Sequence, residues 1–272
     1  MTDANKNLAI RVATALALLP VVLGPLVWGP VPFGVLVGVG AAVLAFEYYT
    51  IVFKKLDPAL VAGLACAAAL PVAWALWPAR FSGFALVGLG ALTMAGFAFY
   101  LLRGPLPKAP TRVAFLVGGV LYCGLLLSTA SGLRLREDGI GWILLALSVT
   151  WLNDTGAYAA GRAFGRHKLY PAVSPGKTWE GLAGGTLASV AGAVLVKLVF
   201  MPRLGWVDCA AVGLCCSALG PLGDLSESML KRAYGVKDSG KIIPGHGGLL
   251  DRVDALLFNL PFVWLYALLT QR

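Results

Sequence analysis

Two long stretches of this sequence contain no charged residue, and they constrain the fold more than any other feature. No Asp, Glu, Lys or Arg occurs between Val12 and Phe46, or between Val113 and Gly132. A helix needs about 20 apolar residues to cross the hydrocarbon core of a bilayer. Only 13% of the 272 residues are charged, whereas a soluble domain usually carries roughly 25%. The sequence therefore predicts an all-α, polytopic integral membrane protein.

Glycine, proline and charged residues divide the apolar sequence into about nine segments. The first two are separated only by the turn from Gly29 to Pro32, and the later ones are well separated. We expect transmembrane helices near 9–28, 32–53, 59–78, 83–102, 112–131, 140–162, 181–200, 206–227 and 253–270.

A net charge of +9 could indicate that the protein binds nucleic acid, but the basic residues lie mostly in short loops between apolar segments. Lysine and arginine are enriched in the cytoplasmic loops of membrane proteins. With a cytoplasmic N-terminus, 16 basic residues fall inside and 5 outside. We therefore expect no nucleic-acid binding, and cytoplasmic positions for the loops 163–180 and 228–252.

Acidic and polar side chains within predicted spans indicate pairing between helices or a functional site, because charge is costly in a bilayer. Glu47 is the only acid well inside a span in the first 140 residues, and we expect it to reach the membrane surface or to pair with another helix. Thr150, Asp154 and Tyr158 recur every four residues and share one helix face. That face either joins two helices or lines a site, and we favour the site.

The eighth segment ends in Gly220-Pro221-Leu222-Gly223, which predicts a broken helix. Asp224, Glu227 and Ser228 follow on one face. Hard oxygen donors of this kind suit Mg²⁺, which typically takes one or two carboxylates plus substrate phosphates.

The next loop combines lysines, glycines and a histidine with two acids at a helix entrance, Asp251 and Asp254. Glycines let backbone amides approach phosphate, and lysines neutralise it. An ordinary basic loop would explain the charges but not His246-Gly247-Gly248 before the two acids.

The loop from Arg162 to Glu180 contains Gly176-Lys177-Thr178, which resembles part of a phosphate-binding loop. That motif needs glycine five residues before Gly176, where Pro171 stands, and a preceding strand, which we do not expect. Ser174, Lys177 and Thr178 remain candidates for binding phosphate.

The segment from Ser228 to Asp254 resembles the C-terminal motif of the phosphatidate cytidylyltransferases. Its recognisable parts are Ser228-Met229-Leu230-Lys231-Arg232, Lys237-Asp238-Ser239-Gly240 and the run from Pro244 to Asp254. Asp154–Tyr158 and Ser174–Gly181 are also similar to that family, although Gly176 stands where a second lysine is expected. The resemblance covers about the last 125 residues, and the first 140 match only in being apolar.

The resemblance implies a multi-span homodimer in the bacterial inner (plasma) membrane, with its site facing the cytoplasm. It implies Mg²⁺-dependent transfer of CMP from CTP to phosphatidate, and a second cation such as K⁺ is left open. We interpret residues 1–272 as one membrane domain, with 1–140 mainly scaffold helices and 141–272 the catalytic half.

The expected site residues fall into three groups. The predicted catalytic residues are Asp224, Asp251, Lys177 and His246. The predicted substrate-binding residues are Ser174, Lys177, Thr178, Lys231, Arg232, Lys237, Lys241 and Asp154. The predicted metal ligands are Asp224, Asp251, Glu227 and Asp254.

Two other classes of protein are alternatives to this interpretation. A CDP-alcohol phosphotransferase would carry the motif DxxDGxxAR followed by GxxxDxxxD, which the sequence lacks. A transporter with intramembrane carboxylates would show corresponding broken helices in its two halves. The first half has no counterpart to residues 217–254, so the transporter is the weaker alternative.

Overall fold

The protein is described by a computed structural model over residues 14, 17, 19–104, 106–242 and 247–270. These residues form nine helical segments and one short hairpin, which confirms the predicted all-α, polytopic fold. The helices are α1 (Leu19–Trp28), α2 (Pro30–Phe53), α3 (Pro58–Leu76), α4 (Phe81–Arg103), α5 (Ala109–Gly119), α6 (Leu126–Arg134), α7 (Gly139–Phe164), α8 (Trp179–Val199), α9 (Trp206–Ala233) and α10 (Leu250–Leu269). A π-helical turn, Val120–Leu125, joins α5 and α6 into one segment.

Seven helical segments within the described ranges are long and apolar enough to cross a membrane. α7 is not among them, because its C-terminal half carries Asn153, Asp154 and Arg162. The first predicted span, 9–28, lies partly outside the described residues.

The described residues form two compact units. The first comprises the described residues up to Leu135 together with those between Asp238 and Arg252. The second comprises Arg136–Lys237 and the described residues from Val253 onward. The first boundary falls near the predicted division at residue 140, but the segment that begins at Asp238 groups with the N-terminal helices. The interpretation as one membrane domain stays a prediction.

The core of the first unit is built around Tyr49 of α2, which is fully buried. Its hydroxyl donates a 2.6 Å hydrogen bond to the carbonyl of Leu116. A Cβ at Gly63 or at Gly119 would collide with the Tyr49 ring. These two glycines therefore let α3 and α5 approach α2 closely.

Asp57 fixes one end of the same bundle. Its side chain caps α3 by accepting from the amide of Leu60, and it also accepts from the Tyr100 hydroxyl at 2.9 Å. Arg112 completes the cluster with a 3.0 Å ion pair to Asp57. One carboxylate thus links α3, α4 and α5 where the helices end.

The second unit depends on close packing of α7 against α8. A Cβ on Gly156 would meet Ala188, and a Cβ on Gly184 would meet Ala160. Such small residues let two helix backbones approach, as they commonly do in membranes. This contact fixes the α7 side chains that face the cavity described below.

Helix α9 corrects two sequence-based expectations. The predicted break at Gly220-Pro221-Leu222-Gly223 is wrong, because α9 runs without interruption from Trp206 to Ala233 through Pro221. Membrane helices tolerate proline where neighbouring groups satisfy the freed backbone. The loop expected to begin at residue 228 consequently begins after Ala233, and α10 begins at Leu250.

A short antiparallel hairpin replaces the expected irregular loop before α8. Its strands are β1 (Lys168–Tyr170) and β2 (Ser174–Thr178), with Lys168 opposite Thr178. The expectation that no strand precedes Gly176-Lys177-Thr178 is therefore wrong. These residues lie within β2 itself rather than in a strand-to-helix loop, so the rejection of a phosphate-binding loop of that type still holds.

Candidate active site

A cavity of about 480 Å³ in the second unit collects several of the predicted site residues. It lies among α7, α8, α9 and the hairpin. Its polar and charged lining consists of Asn153, Asp154, Tyr158, Arg162, Ser174, Lys177, Thr178 and Asp224. Four of these, Asp154, Ser174, Lys177 and Thr178, were predicted to bind substrate, and Asp224 was predicted to bind metal.

An ion pair between Lys177 and Asp224 is the strongest electrostatic contact in this cavity. The Lys177 Nζ lies 2.7 Å from Asp224 Oδ2 and 3.3 Å from the carbonyl oxygen of Pro221. The other Asp224 oxygen accepts from the Ser228 hydroxyl at 3.2 Å. The hairpin lysine and the α9 carboxylate therefore hold each other at the cavity wall.

Local contacts on both sides of Lys177 fix its position. Thr178 caps α8 by accepting from the amide of Gly181 at 3.1 Å. At the start of the hairpin, Glu180 accepts from the amides of Arg166 and His167 and lies 2.6 Å from His167 Nδ1. In this role the Thr178 oxygen accepts a hydrogen bond, so its hydroxyl hydrogen can still be donated to a phosphate oxygen.

Arg162 and Tyr158 also line the cavity. Tyr158 belongs to the helix face that we expected to line a site, whereas sequence reasoning did not select Arg162. The Tyr158 hydroxyl accepts a 3.1 Å hydrogen bond from Arg162. Both follow Asp154 at four-residue spacing, so extending the polar helix face by one turn would have found Arg162. Among the described residues, Arg162 has no carboxylate partner, whereas Lys177 is paired.

Three carboxylates of the second unit lie close enough to influence one another. Asp224 and Asp154 both act electrostatically on Asp254. At Gly223, α9 approaches α10 so closely that a Cβ would meet the carbonyl of Asp254. The buried side-chain oxygen of Asn153, which also lines the cavity, accepts no hydrogen bond from the described residues. This part of the cavity is rich in the hard oxygen donors that Mg²⁺ prefers.

The predicted set of four metal ligands is not assembled as a group. Within the described ranges, no three His, Cys, Asp or Glu side chains are arranged to hold a metal ion. Glu227 in particular is 1% exposed and forms a 2.6 Å ion pair with Lys231, one helical turn away. Glu227 and Lys231 therefore neutralise each other in this structure, and their predicted roles in binding metal and phosphate stay predictions.

Asp251 belongs to the first unit, where it organises the segment before α10. Its Oδ2 accepts from the amide and hydroxyl of Ser239, at 3.0 and 2.9 Å, and from the amide of Gly248 at 3.2 Å. Glu47 of α2 is bonded to the same segment, through the Ser239 hydroxyl and the amides of Leu249 and Leu250. Of the two alternatives for Glu47, pairing with another helix is correct.

The other predicted phosphate contacts are solvent-accessible. Arg232, Lys237 and Lys241 are exposed, and Arg232 donates to the carbonyl of Val236. His246 lies outside the described residues.

The positive and negative side chains that line the cavity are equal in number. Arg162 and Lys177 supply two positive charges, and Asp154 and Asp224 supply two negative ones. A polyanionic ligand would meet placed cations there, but it would need a further cation to offset the carboxylates. The helices and this cavity together define a polytopic membrane protein with a charged, oxygen-rich site in its second unit.

Comparison with known proteins assigns the family. The sequence profile of the cytidylyltransferase family matches residues 9–270, and the chain belongs to this family. It is 36% identical to a phosphatidate cytidylyltransferase of Bacillus subtilis in an alignment of 271 positions that covers 97% of each chain. It is also 46% identical over 128 residues to a protein of the same name from Staphylococcus epidermidis, and 48% identical over 128 residues to one from Staphylococcus haemolyticus. These two matches cover 47% of this chain and 49% of each relative.

Proposed function

We propose that this chain transfers CMP from CTP to phosphatidate, giving CDP-diacylglycerol and pyrophosphate. The observation that carries the proposal is the cavity containing Lys177 and Asp224, in a chain whose family profile matches almost its whole length. One phosphate oxygen of phosphatidate would attack the α-phosphorus of CTP and form a new P–O bond. The bond from that phosphorus to the bridging oxygen breaks, and pyrophosphate leaves with the electron pair.

The chemistry requires placed positive charge rather than a strong base. Phosphatidate is already ionised at neutral pH, so the main barriers are repulsion between two anions and charge that develops on the leaving group. Lys177 and Arg162 can neutralise phosphate oxygens of the substrate. To do so, the phosphate must replace Asp224 as the partner of Lys177 and Tyr158 as the partner of Arg162. The lipid tails would remain in the bilayer while the headgroup enters the cavity.

Mg²⁺ fits the donor set of the cavity, because Mg²⁺ typically takes one or two protein carboxylates and completes its shell with phosphates and water. Asp224 would hold it, with Asp154 and Asp254 as neighbouring carboxylates. When bound, the ion would neutralise the charge on the phosphates and polarise the reacting phosphoryl group. Asp251 stays in the proposal as a metal-binding carboxylate, on the resemblance alone.

The cellular setting is also part of the proposal. The resemblance implies a homodimer in the bacterial plasma membrane, and the distribution of lysine and arginine favours a site that opens to the cytoplasm. Cytoplasmic access matters because CTP is found there. Binding of a second cation such as K⁺, which the resemblance leaves open, also stays open in this proposal.

The direct test is incorporation of radiolabelled CTP into lipid by purified protein, with and without Mg²⁺. We expect labelled CDP-diacylglycerol only when phosphatidate and Mg²⁺ are both present. Asp224→Asn and Asp251→Asn keep size but remove charge, and each should lower turnover by two or more orders of magnitude, on the order of 3 kcal/mol.

The matched control is Glu137→Gln, since Glu137 is an exposed acid paired with Arg203 and does not line the cavity. Its turnover should stay near that of the wild type. A transporter would give no labelled lipid under any of these conditions. That result, or normal turnover in Asp224→Asn, would contradict the proposed function.

A further inference from the structure

Glu47 is a buried acid in the half of the chain that otherwise carries little polar chemistry. It lies on α2, and 1% of its surface is exposed. Its Oε2 accepts from the amide of Leu250 at 2.7 Å and from the Ser239 hydroxyl at 3.1 Å. Its Oε1 accepts from the amide of Leu249 at 3.0 Å. All three donors lie about 200 residues later in the chain, within the same unit.

Burial of a carboxylate is costly unless hydrogen bonds compensate for the lost water. No lysine or arginine among the described residues forms an ion pair with Glu47, so the compensation comes from its three donors. Leu249 and Leu250 stand at the start of α10, where the first amides of a helix lack partners within the helix. The positive end of the helix dipole also favours an anion there. Glu47 therefore caps α10 from another helix.

Two glycines of the segment leave the space that this contact needs. A Cβ on Gly240 would lie 2.5 Å from Glu47 Oε1, and a Cβ on Gly248 would collide with the Ser239 hydroxyl and approach Glu47 Oε2. The glycines in Ser239-Gly240 and Gly247-Gly248 were first interpreted as places where backbone amides could approach phosphate. In the structure, Gly240 and Gly248 make room for Glu47 and Ser239.

Ser239 joins Glu47 to Asp251. Its hydroxyl lies 3.1 Å from Glu47 Oε2 and 2.9 Å from Asp251 Oδ2. A hydroxyl carries one proton, so it can donate to only one of the two carboxylates at a time. The position of Asp251 thus depends on a chain of contacts that begins on α2.

We propose that Glu47 is a positioning residue, which holds the segment between Asp238 and Arg252 so that Asp251 is correctly placed for the reaction. The kinetic part of this inference rests on the proposed function, whereas the structural part does not. The proposal assigns a role to a helix that sequence reasoning treated as scaffold.

The test is Glu47→Gln, which keeps size but turns one acceptor oxygen into a donor that faces a backbone amide. Hydrogen–deuterium exchange of the purified, detergent-solubilised protein reports on the contact directly. We expect the amides of Leu249 and Leu250 to exchange at least tenfold faster than in the wild type. In the CTP assay, we expect the Mg²⁺ concentration for half-maximal rate to rise at least fivefold, because Asp251 is displaced.

Asp57→Asn is the matched control, since Asp57 is also a capping carboxylate with three donors in the same unit. It should speed exchange of the Leu60 amide, leave Leu249 and Leu250 unchanged, and leave the Mg²⁺ requirement unchanged. If Glu47→Gln does not accumulate, Ser239→Ala removes the hydroxyl that links the two carboxylates and should also raise the Mg²⁺ requirement. The amides of Leu249 and Leu250 keep their bonds to Glu47 in that variant and should exchange as in the wild type.

Several outcomes would overturn the proposal. Unchanged exchange at Leu249 and Leu250 in Glu47→Gln would show that the contact does not hold the segment. An unchanged Mg²⁺ requirement, or an equal change in Asp57→Asn, would show that Glu47 contributes only general stability. If the wild type makes no labelled lipid, the proposed function fails, and exchange alone decides whether Glu47 holds the segment.

Discussion

Lys177 and Lys54 show how two residues of the same type differ once their surroundings are known. Lys177 is mostly covered and lies 2.7 Å from Asp224 within the cavity. Lys54 ends α2 in a left-handed conformation and is exposed, as is Lys55. Lys54, Lys55 and Lys177 all carry positive charge on the predicted cytoplasmic side of the membrane. Of the three, only Lys177 lies beside a carboxylate in a cavity.

Removal of Lys177 should therefore affect the reaction, whereas removal of the α2 lysines should not. In Lys177→Ala we expect turnover to fall, or the CTP requirement to rise, at least tenfold, which is about 1.4 kcal/mol. The double variant Lys54→Ala, Lys55→Ala should stay near the wild type. The measurement is initial rate against CTP concentration in one detergent, and equal effects would mean that the loops supply only general positive potential.

At the scale of elements, α7 and α8 act as one rigid support for the cavity. Their backbones approach closely at Gly156 and Gly184, and α8 begins immediately after the strand that carries Lys177. A larger side chain at this contact would have to push the helices apart. Both helices contribute to the cavity lining, so the spacing between them sets its width.

Gly184→Ala should consequently destabilise the protein. Its added methyl group would meet Ala160 and the Gly156 carbonyl, and overpacking of this kind typically costs about 1–3 kcal/mol. Gly88→Ala is the control, because a Cβ at Gly88 in α4 would meet nothing within 4 Å. Alanine there should be neutral or stabilising by up to about 1 kcal/mol. Thermal unfolding in detergent compares the two, and equal midpoints would contradict the tight contact.

At the scale of the whole molecule, the membrane orientation connects the fold to the supply of substrate. The 16-to-5 distribution of basic residues predicts that the loop after α9 is cytoplasmic and that the loop between α8 and α9 is outside. Ser239, in the first of these loops, is too buried to report on orientation. Ala233, the last residue of α9, and Arg203, in the loop between α8 and α9, are both exposed.

Orientation can be measured with Ala233→Cys and Arg203→Cys, each in a Cys215→Ser background, because Cys215 is the exposed native cysteine. An impermeant thiol reagent should label Arg203→Cys in intact spheroplasts and Ala233→Cys only after permeabilisation. The reverse pattern would place CTP and the site on opposite sides of the membrane and would overturn the predicted orientation.

The sequence by itself determined the membrane class, the approximate helix positions and the identity of Lys177, Asp224 and Asp154 as cavity residues. These follow from local properties: uninterrupted apolar length, helical spacing, and polar side chains that are costly in lipid. Sequence reasoning was wrong about the break at Pro221, because the continuity of a helix through proline depends on neighbours that local rules do not name. The continuity of α9 is decided by packing. The pairing of Glu227 with Lys231 instead follows the local four-residue spacing of a helix, which sequence reasoning did not apply to these two residues.

Only the tertiary structure decided the role of Glu47. Its three donors are separated from it by about 200 residues, and periodicity within a helix carries no information on such distant pairs. The same holds for Gly240 and Gly248, whose missing side chains make sense only beside that carboxylate. Composition predicts where a chain meets lipid, but long-range hydrogen bonds arise only when the folded helices bring distant donors to one buried charge.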